Sequence, residues 1–267
     1  MKHTTITLAD VQRVYDGPEA DLWQLIMGEQ IHVGGMHSSL ALARSAGLAA
    51  GMTGVDLCCC LGAGMRLLAK TFGVRMCGVD ATARMLDRAR DRAREEGLDD
   101  KLEFRQGDVT EIPARDGEFD FVWGEDAWCY VVDKDRLIAE AARVLKPGGV
   151  IAFTDWIEGP AGLSGAEALR INAFMKFPYM ESLVGYSELL ARHGFEPRET
   201  VEIEFASFVD LYLSMLGEQL TFDALRILGG DEALFRAMGA EMEFMRAAAH
   251  AGKMTRGRFV AVRRQVP

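Results

Sequence analysis

Residues 54–80 constrain this chain more than any other stretch. Gly54-Val-Asp-Leu-Cys-Cys-Cys-Leu-Gly-Ala-Gly-Met65 is followed by the acid-ended run Val74-Arg-Met-Cys-Gly-Val-Asp80. Val55 to Leu57 reads as a short buried strand, which Gly62 and Gly64 break before a helical pattern over Met65–Phe72 that stops at Gly73. A strand, a tight turn and a helix N-terminus direct backbone N–H groups at a polar ligand, and the helix dipole adds to them. Asp80 ends a second strand 24 residues after Asp56, where a carboxylate accepts both hydroxyls of a ribose. The pair of features predicts a nucleoside-containing cofactor.

Charge narrows the partners. Thirty Lys and Arg against forty Asp and Glu give a formal charge of −10, whereas nucleic acid and anionic membranes require a basic face. A small metabolite is expected instead, with no nucleic acid and no membrane. The opening residues lack the apolar core of a signal peptide, and no run approaches the roughly 20 apolar residues that span a bilayer. Five cysteines, three of them adjacent at 58–60, show no disulfide spacing. A cytosolic, reducing compartment is expected, and homodimer formation stays open.

Along the chain, residues 7–30 read as helix interrupted at Gly17-Pro18, and Ser38–Ala50 as an alanine-rich helix. Strands are expected at 102–106, 119–123 and 150–154, with helices at Met85–Glu96 and Lys134–Leu145, the latter stopped by Lys146-Pro-Gly-Gly149. Strands alternating with helices imply an α/β, Rossmann-like sheet of seven mostly parallel strands with helices on both faces, and ligands bind outside the carboxyl ends of such strands. Those ends carry Asp56, Asp80, Asp108, Glu125-Asp126 and Asp155. Residues 206–254, helical and rich in Met and aromatics, read as a cap inserted between the last two strands at Phe195–Phe205 and Arg256–Arg263. The expected organisation is a helical lid over 1–50, a core over 51–205, the cap over 206–254 and a final core strand over 255–267.

From about residue 50 to 157 the residues resemble the class I S-adenosylmethionine-dependent methyltransferases. The carrying features are the glycine-containing turn, Asp80, Gly107-Asp108-Val109 and Ala141-Ala-Arg-Val-Leu-Lys-Pro-Gly-Gly149. Val14-Tyr15-Asp16, Gly28-Glu-Gln-Ile-His-Val-Gly-Gly35, Trp123-Gly-Glu-Asp-Ala127 and Phe153-Thr-Asp155 are similar to the phosphoethanolamine and sarcosine/dimethylglycine N-methyltransferase subgroup. The resemblance implies S-adenosylmethionine as cofactor. It places Tyr15, Ile31 and His32 over the methionine end, Asp80 and Ala81 on the ribose, and Asp108 and Val109 on the adenine, with Gly35 also in the cofactor-binding set. Cys58, Gly62, Met85 and Glu125 complete the implied set, Glu125 near the amino group or the substrate mouth. Asp126, Tyr15 and Tyr130 are the implied catalytic group, acting on a small-molecule acceptor whose nitrogen is favoured over oxygen, sulfur or carbon.

Two positions depart from the family pattern. Cys58 and Cys60 replace the first two glycines of the usual Gly-x-Gly-x-Gly turn, where a Cβ opposes positive φ. Tyr130 stands where the phosphoethanolamine enzymes have a histidine, and a free phenol has a pKa of about 10. Adjacent cysteines rarely provide ligand geometry, so no metal site is expected. In the cap, Phe174, Phe177, Tyr179, Phe208, Tyr212, Met215, Phe222, Met238, Met242 and Met245 either line a substrate pocket or pack as core. A protein that binds the cofactor without transferring methyl, and a nicotinamide-dependent oxidoreductase, are the competing readings.

Overall fold

The computed structural model describes residues 2–265. Five parallel strands form the centre of the sheet: β1 (Thr53–Leu57), β2 (Arg75–Asp80), β3 (Leu102–Gln106), β4 (Phe119–Glu125) and β5 (Leu145–Glu158), in the order β3-β2-β1-β4-β5. β8 (Met254–Arg263) adds antiparallel to β5, and β7 (Phe195–Ile203) antiparallel to β8. These are the seven strands expected, joined by the two-residue β6 (Glu181–Ser182) beside the end of β5.

Period-two alternation sends successive side chains of the central strands to opposite faces. Val122, Ile151 and Phe153 pack on one face with Leu137, Ile138, Ala141 and Val144 of α6 (Lys134–Val144) and with Leu189 and Leu190 of α8 (Leu183–Arg192). Phe121, Trp123 and Ala152 pack on the other with Leu42 of α3 (Gly35–Ala46), Leu68 of α4 (Ala63–Phe72) and Leu86 of α5 (Ala83–Glu95). Each fully buried Leu, Val or Phe contributes roughly 1.5–3 kcal/mol, so these two layers dominate the stability of the sheet.

Three helices stand between β7 and β8: α9 (Ala206–Glu218), α10 (Thr221–Ile227) and α11 (Glu232–His250). Their apolar residues join those of α2 (Pro18–Met27) and α7 (Gly165–Met175) in a separate cluster. α7 escaped the sequence reading although Ser164 and Glu167 form a reciprocal capping box at its start. α1 (Leu8–Asp16) precedes α2 and lies against α5, across the carboxyl edge of the sheet. The expected stop at Lys146-Pro-Gly-Gly149 falls inside β5, which takes over directly from the C-cap of α6 at Leu145. Among the described residues no helix is long and apolar enough to cross a membrane.

Candidate active site

The turn after β1 is the floor of a cleft at the carboxyl edge. Cys58 and Cys59 donate their N–H groups to Val79 O at 2.8 and 3.2 Å, tying the turn to β2, and Cys60 N–H donates to Asp80 Oδ2 at 2.9 Å. Cys58 and Cys60 adopt φ of +67° and +46°, so the glycine-type backbone is kept with cysteines in it. A Cβ in this region costs on the order of 1–2 kcal/mol per residue, which the hydrogen bonds to Val79 and Asp80 offset. Cys59 packs on the bare α-carbon of Gly78, where any Cβ would stand 2.6 Å from Cys59 Sγ. Burial, with the nearby Asp80 carboxylate, pushes all three thiols up, leaving them protonated near neutral pH. Among the described residues no His, Cys, Asp and Glu cluster has metal-binding geometry.

The walls come from β2, β4 and the N-terminal helices. Asp80 also accepts from Thr82 N–H at 2.8 Å, and its burial raises its pKa. Gln12 of α1 donates to Ala81 O at 2.9 Å and draws that helix onto the cleft. At the tip of β4, Glu125 Oε2 accepts from Ser39 Oγ and Trp123 Nε1, both at 3.0 Å. Its Oε1 is buried without a hydrogen-bond partner, 3.5 Å from His32 Nε2. Burial, followed by the Glu125 and Asp80 charges, pushes Asp56 well above the usual carboxylate range.

Behind this cleft lies a narrow second pocket lined by Tyr15, Trp23, Met27, Ile31, His32, Asp126, Tyr130, Trp156, Met175 and Phe177. Tyr15, Ile31, His32, Asp126 and Tyr130 line both cavities, so the inner pocket adjoins the cleft across these side chains. The Tyr15 and Tyr130 rings meet edge to face with centroids 5.7 Å apart, and Phe177 stands edge-on to Tyr130 at 4.9 Å. Burial pushes both phenols up, so they are neutral hydroxyls throughout the physiological range. Asp126, at φ +53°, has both oxygens engaged: Oδ1 accepts from Arg256 Nε at 2.6 Å and Oδ2 from Val33 N–H at 2.8 Å.

The structure brings Tyr15, Ile31, His32, Cys58, Asp80, Ala81, Asp108, Val109, Glu125, Asp126 and Tyr130 together on the cleft wall. Gly35, Gly62 and Met85 stand outside it. Gly62 shapes the turn at φ +63° and faces the Phe104 ring, Met85 is buried with Ala20 and Leu61, and Gly35 borders a groove on the outer side of α4. Asp155, the fifth strand-end acid, points into the core, where Tyr186 Oη donates to it at 2.6 Å and Cys129 N–H at 3.0 Å. Of the cap residues weighed for a pocket, only Phe177 lines the inner one; Met242 and Met245 are buried in the helical cluster and Phe222 is exposed. Ser39, Gln12 and Arg256 were not anticipated. Arg256 shares its strand with Arg258 and Arg263, so no local signal singled it out.

The cleft fits the expected cofactor by charge. Its lining contains Glu29, Asp56, Asp80, Asp108, Glu125, Asp126 and Asp133 and, among the described residues, no Lys or Arg. S-adenosylmethionine carries a sulfonium and an ammonium against one carboxylate, and the orphaned Glu125 Oε1 is a partner for a cation. The N–H groups at the start of α4, where Ala63 and Gly64 line the cleft, suit the single carboxylate. A dinucleotide pyrophosphate would bring more negative charge to this acidic lining than the one carboxylate does, with only the N–H groups of α4 to receive it.

Comparison with known proteins agrees. Residues 55–153 match the family described as methyltransferase domain. The chain is 31% identical over 215 residues to the 27-O-demethylrifamycin SV methyltransferase of Amycolatopsis mediterranei, covering 75% of this chain and 78% of that protein. In fold it is similar to a sarcosine dimethylglycine methyltransferase from Galdieria sulphuraria, with a TM-score of 0.79 and 24% identity over 92% of this chain and 98% of that one. It is also similar to phosphoethanolamine N-methyltransferase 2 of Haemonchus contortus in complex with phosphomonomethylethanolamine and S-adenosylhomocysteine, with a TM-score of 0.81 and 24% identity. That match covers 97% of this chain and 59% of the worm enzyme.

Proposed function

Because the chain belongs to the class I S-adenosylmethionine-dependent methyltransferases, we propose that it methylates an amine nitrogen of a small molecule held in the inner pocket. The observation that carries this reading is that the two cavities adjoin and share Tyr15, Ile31, His32, Asp126 and Tyr130 in their walls. An acceptor among Trp23, Trp156 and Phe177 faces the cofactor cleft across the two tyrosines. Aromatic walls suit a nitrogen that gains positive charge as it is methylated.

When bound, the cofactor supplies the electrophilic methyl group and its own leaving group. Asp80 and Ala81 would hold the ribose, Asp108 and Val109 the adenine, and Glu125 the amino group, with Ile31 and His32 over the methionine end. Of the stretch expected as a lid, α1 and the loop before α3 supply Tyr15, Ile31 and His32 over the cleft, whereas α3 belongs to the core, where Leu42 packs on the sheet. The remaining work of the protein is to align the acceptor and exclude water. Tyr15 and Tyr130 remain neutral and position the nucleophile through their hydroxyls. Asp126 is committed to Arg256 and Val33, so it positions the lid loop and the acceptor enters as the free base.

Incubating the protein with S-adenosylmethionine and a panel of amines, phenols and thiols, with S-adenosylhomocysteine quantified by mass spectrometry, tests the reading. Turnover confined to phenols or thiols overturns the choice of nitrogen. Oxygen is the second reading, favoured by the relative that acts on 27-O-demethylrifamycin SV.

A further inference from the structure

The charges around the inner pocket select among acceptors. Only two of its lining side chains, His32 and Asp126, belong to strongly ionisable types other than phenols. Both are in use. Asp126 is closed by Arg256 and Val33, while His32 Nδ1 lies 3.3 Å from Val33 O and Nε2 lies 3.2 Å from Ser39 Oγ. Arg256 sits behind Asp126 with its side chain 2% exposed, and its second guanidinium bond goes to Thr154 Oγ1 at 2.9 Å. No cation is therefore offered to a ligand among the described residues of the inner pocket, and the adjoining cleft is lined by seven acids, of which Asp126 is paired with Arg256, and no Lys or Arg.

An anionic group brought into such a site loses its hydration, gains no counter-ion and is repelled by the acids of the adjoining cleft. Apolar and aromatic surface, by contrast, is supplied on every side by Trp23, Met27, Trp156, Met175 and Phe177.

We infer that the acceptor carries no carboxylate or phosphate near the methylated atom and belongs to the class of alkyl- or arylamines without an anionic group. This rests on the reading of the cleft as a methyl-transfer site, and it separates the chain from acceptors such as amino acids and phosphate esters.

Matched pairs that differ only by the anion test it on the whole wild-type protein. N,N-dimethylglycine is compared with N,N-dimethylglycinamide, phosphodimethylethanolamine with N,N-dimethylethanolamine, and 4-hydroxyphenylacetate with 4-hydroxyphenylacetamide. Rates are referred to the free-base concentration of each amine. The neutral member of each pair is expected to have a kcat/KM about ten-fold or more above its anionic partner, an effect of unpaired charge burial. An anionic member equal to or better than its neutral partner overturns the inference, even with nitrogen established as the acceptor. Turnover of the phenol pair alone overturns the nitrogen reading, while the order within that pair still decides on the anion. If no pair turns over, calorimetric binding to the protein saturated with S-adenosylhomocysteine decides: tighter binding of the neutral members supports the inference, and equal, absent or anion-preferring binding overturns it.

Discussion

Arg256 Nε lies 2.6 Å from Asp126 Oδ1, with the two side chains 2% and 1% exposed. This ion pair joins the last strand of the sheet to the tip of β4. Through Asp126 Oδ2 and Val33 N–H it reaches the loop that covers the cleft. Arg256→Met leaves Asp126 as a buried charge with no counter-ion, and the expected loss is roughly 3–5 kcal/mol in urea unfolding. Asp126→Asn in the same chain removes that charge, tolerates the positive φ and keeps an oxygen for Val33, so the double variant should recover most of the loss. No recovery would show that packing of the arginine, and not charge, dominates.

The two strained cysteines make an opposite prediction. With Cys58 at φ +67° and Cys60 at φ +46°, glycine relieves the strain but loosens the unfolded chain. Cys58→Gly should therefore raise the stability of the cofactor-free protein by up to about 1 kcal/mol, whereas β-branched Cys58→Val should lower it by about 2 kcal/mol or more. Thermal unfolding of both variants checks the sign. Equal destabilisation by both would mean that the thiol packing, not the backbone, decides.

Tyr15 and Tyr130 are expected to align the acceptor without titrating. Burial raises both pKa values, so neither hydroxyl ionises as pH rises through the neutral range. The profile of kcat/KM should rise with pH along the titration of the amine substrate itself and move when a substrate of different pKa is used. Tyr15→Phe or Tyr130→Phe should lower kcat/KM by about 10- to 100-fold, in the range of a lost positioning group, with cofactor affinity nearly unchanged. An inflection fixed at one pH for every substrate would assign a general base in the protein.

Asp155 predicts a pH dependence of stability independent of the cleft. Burial raises its pKa from 3.8 to about 6, against the opposing effects of Lys134 and of the Tyr186 hydroxyl. The folded state thus binds this proton more tightly than the unfolded chain. The associated stability is full below pH 4 and is lost as pH rises through about 6, in total on the order of 3 kcal/mol. Lys134, lowered to about 8 by burial, acts at the other end: its contribution is present above the unfolded pKa and lost as pH falls through 8. Urea unfolding from pH 4 to 7 should show a smaller decline for Asp155→Asn than for the wild type. Parallel slopes would rule out Asp155 as the titrating group.

Much of the architecture is local and therefore readable along the chain. The strand ends at Asp56, Asp80 and Glu125, and the helix periodicity from Lys134 to Val144, follow from residue spacing and capping, which act over a few residues. The inserted helices between β7 and β8 also show as a change of period. By these means the sequence determined a doubly covered α/β sheet with an acidic ligand-binding edge, and most of the residues it selected for the site line the cleft.

The commitments of the side chains came only with the tertiary structure. Asp126 and Asp155 look alike as acids at strand ends, yet one is closed by an arginine 130 positions away and the other by a tyrosine hydroxyl 31 positions away. Such pairings join segments remote in sequence, and no local periodicity encodes them. The same holds for Cys58 and Cys60, whose positive φ is imposed by hydrogen bonds to the ends of β2 across the turn, against the preference of the residues themselves. The sequence therefore specified which polar groups stand near the strand ends, while long-range packing decided which of them line the cleft and stay free for a ligand.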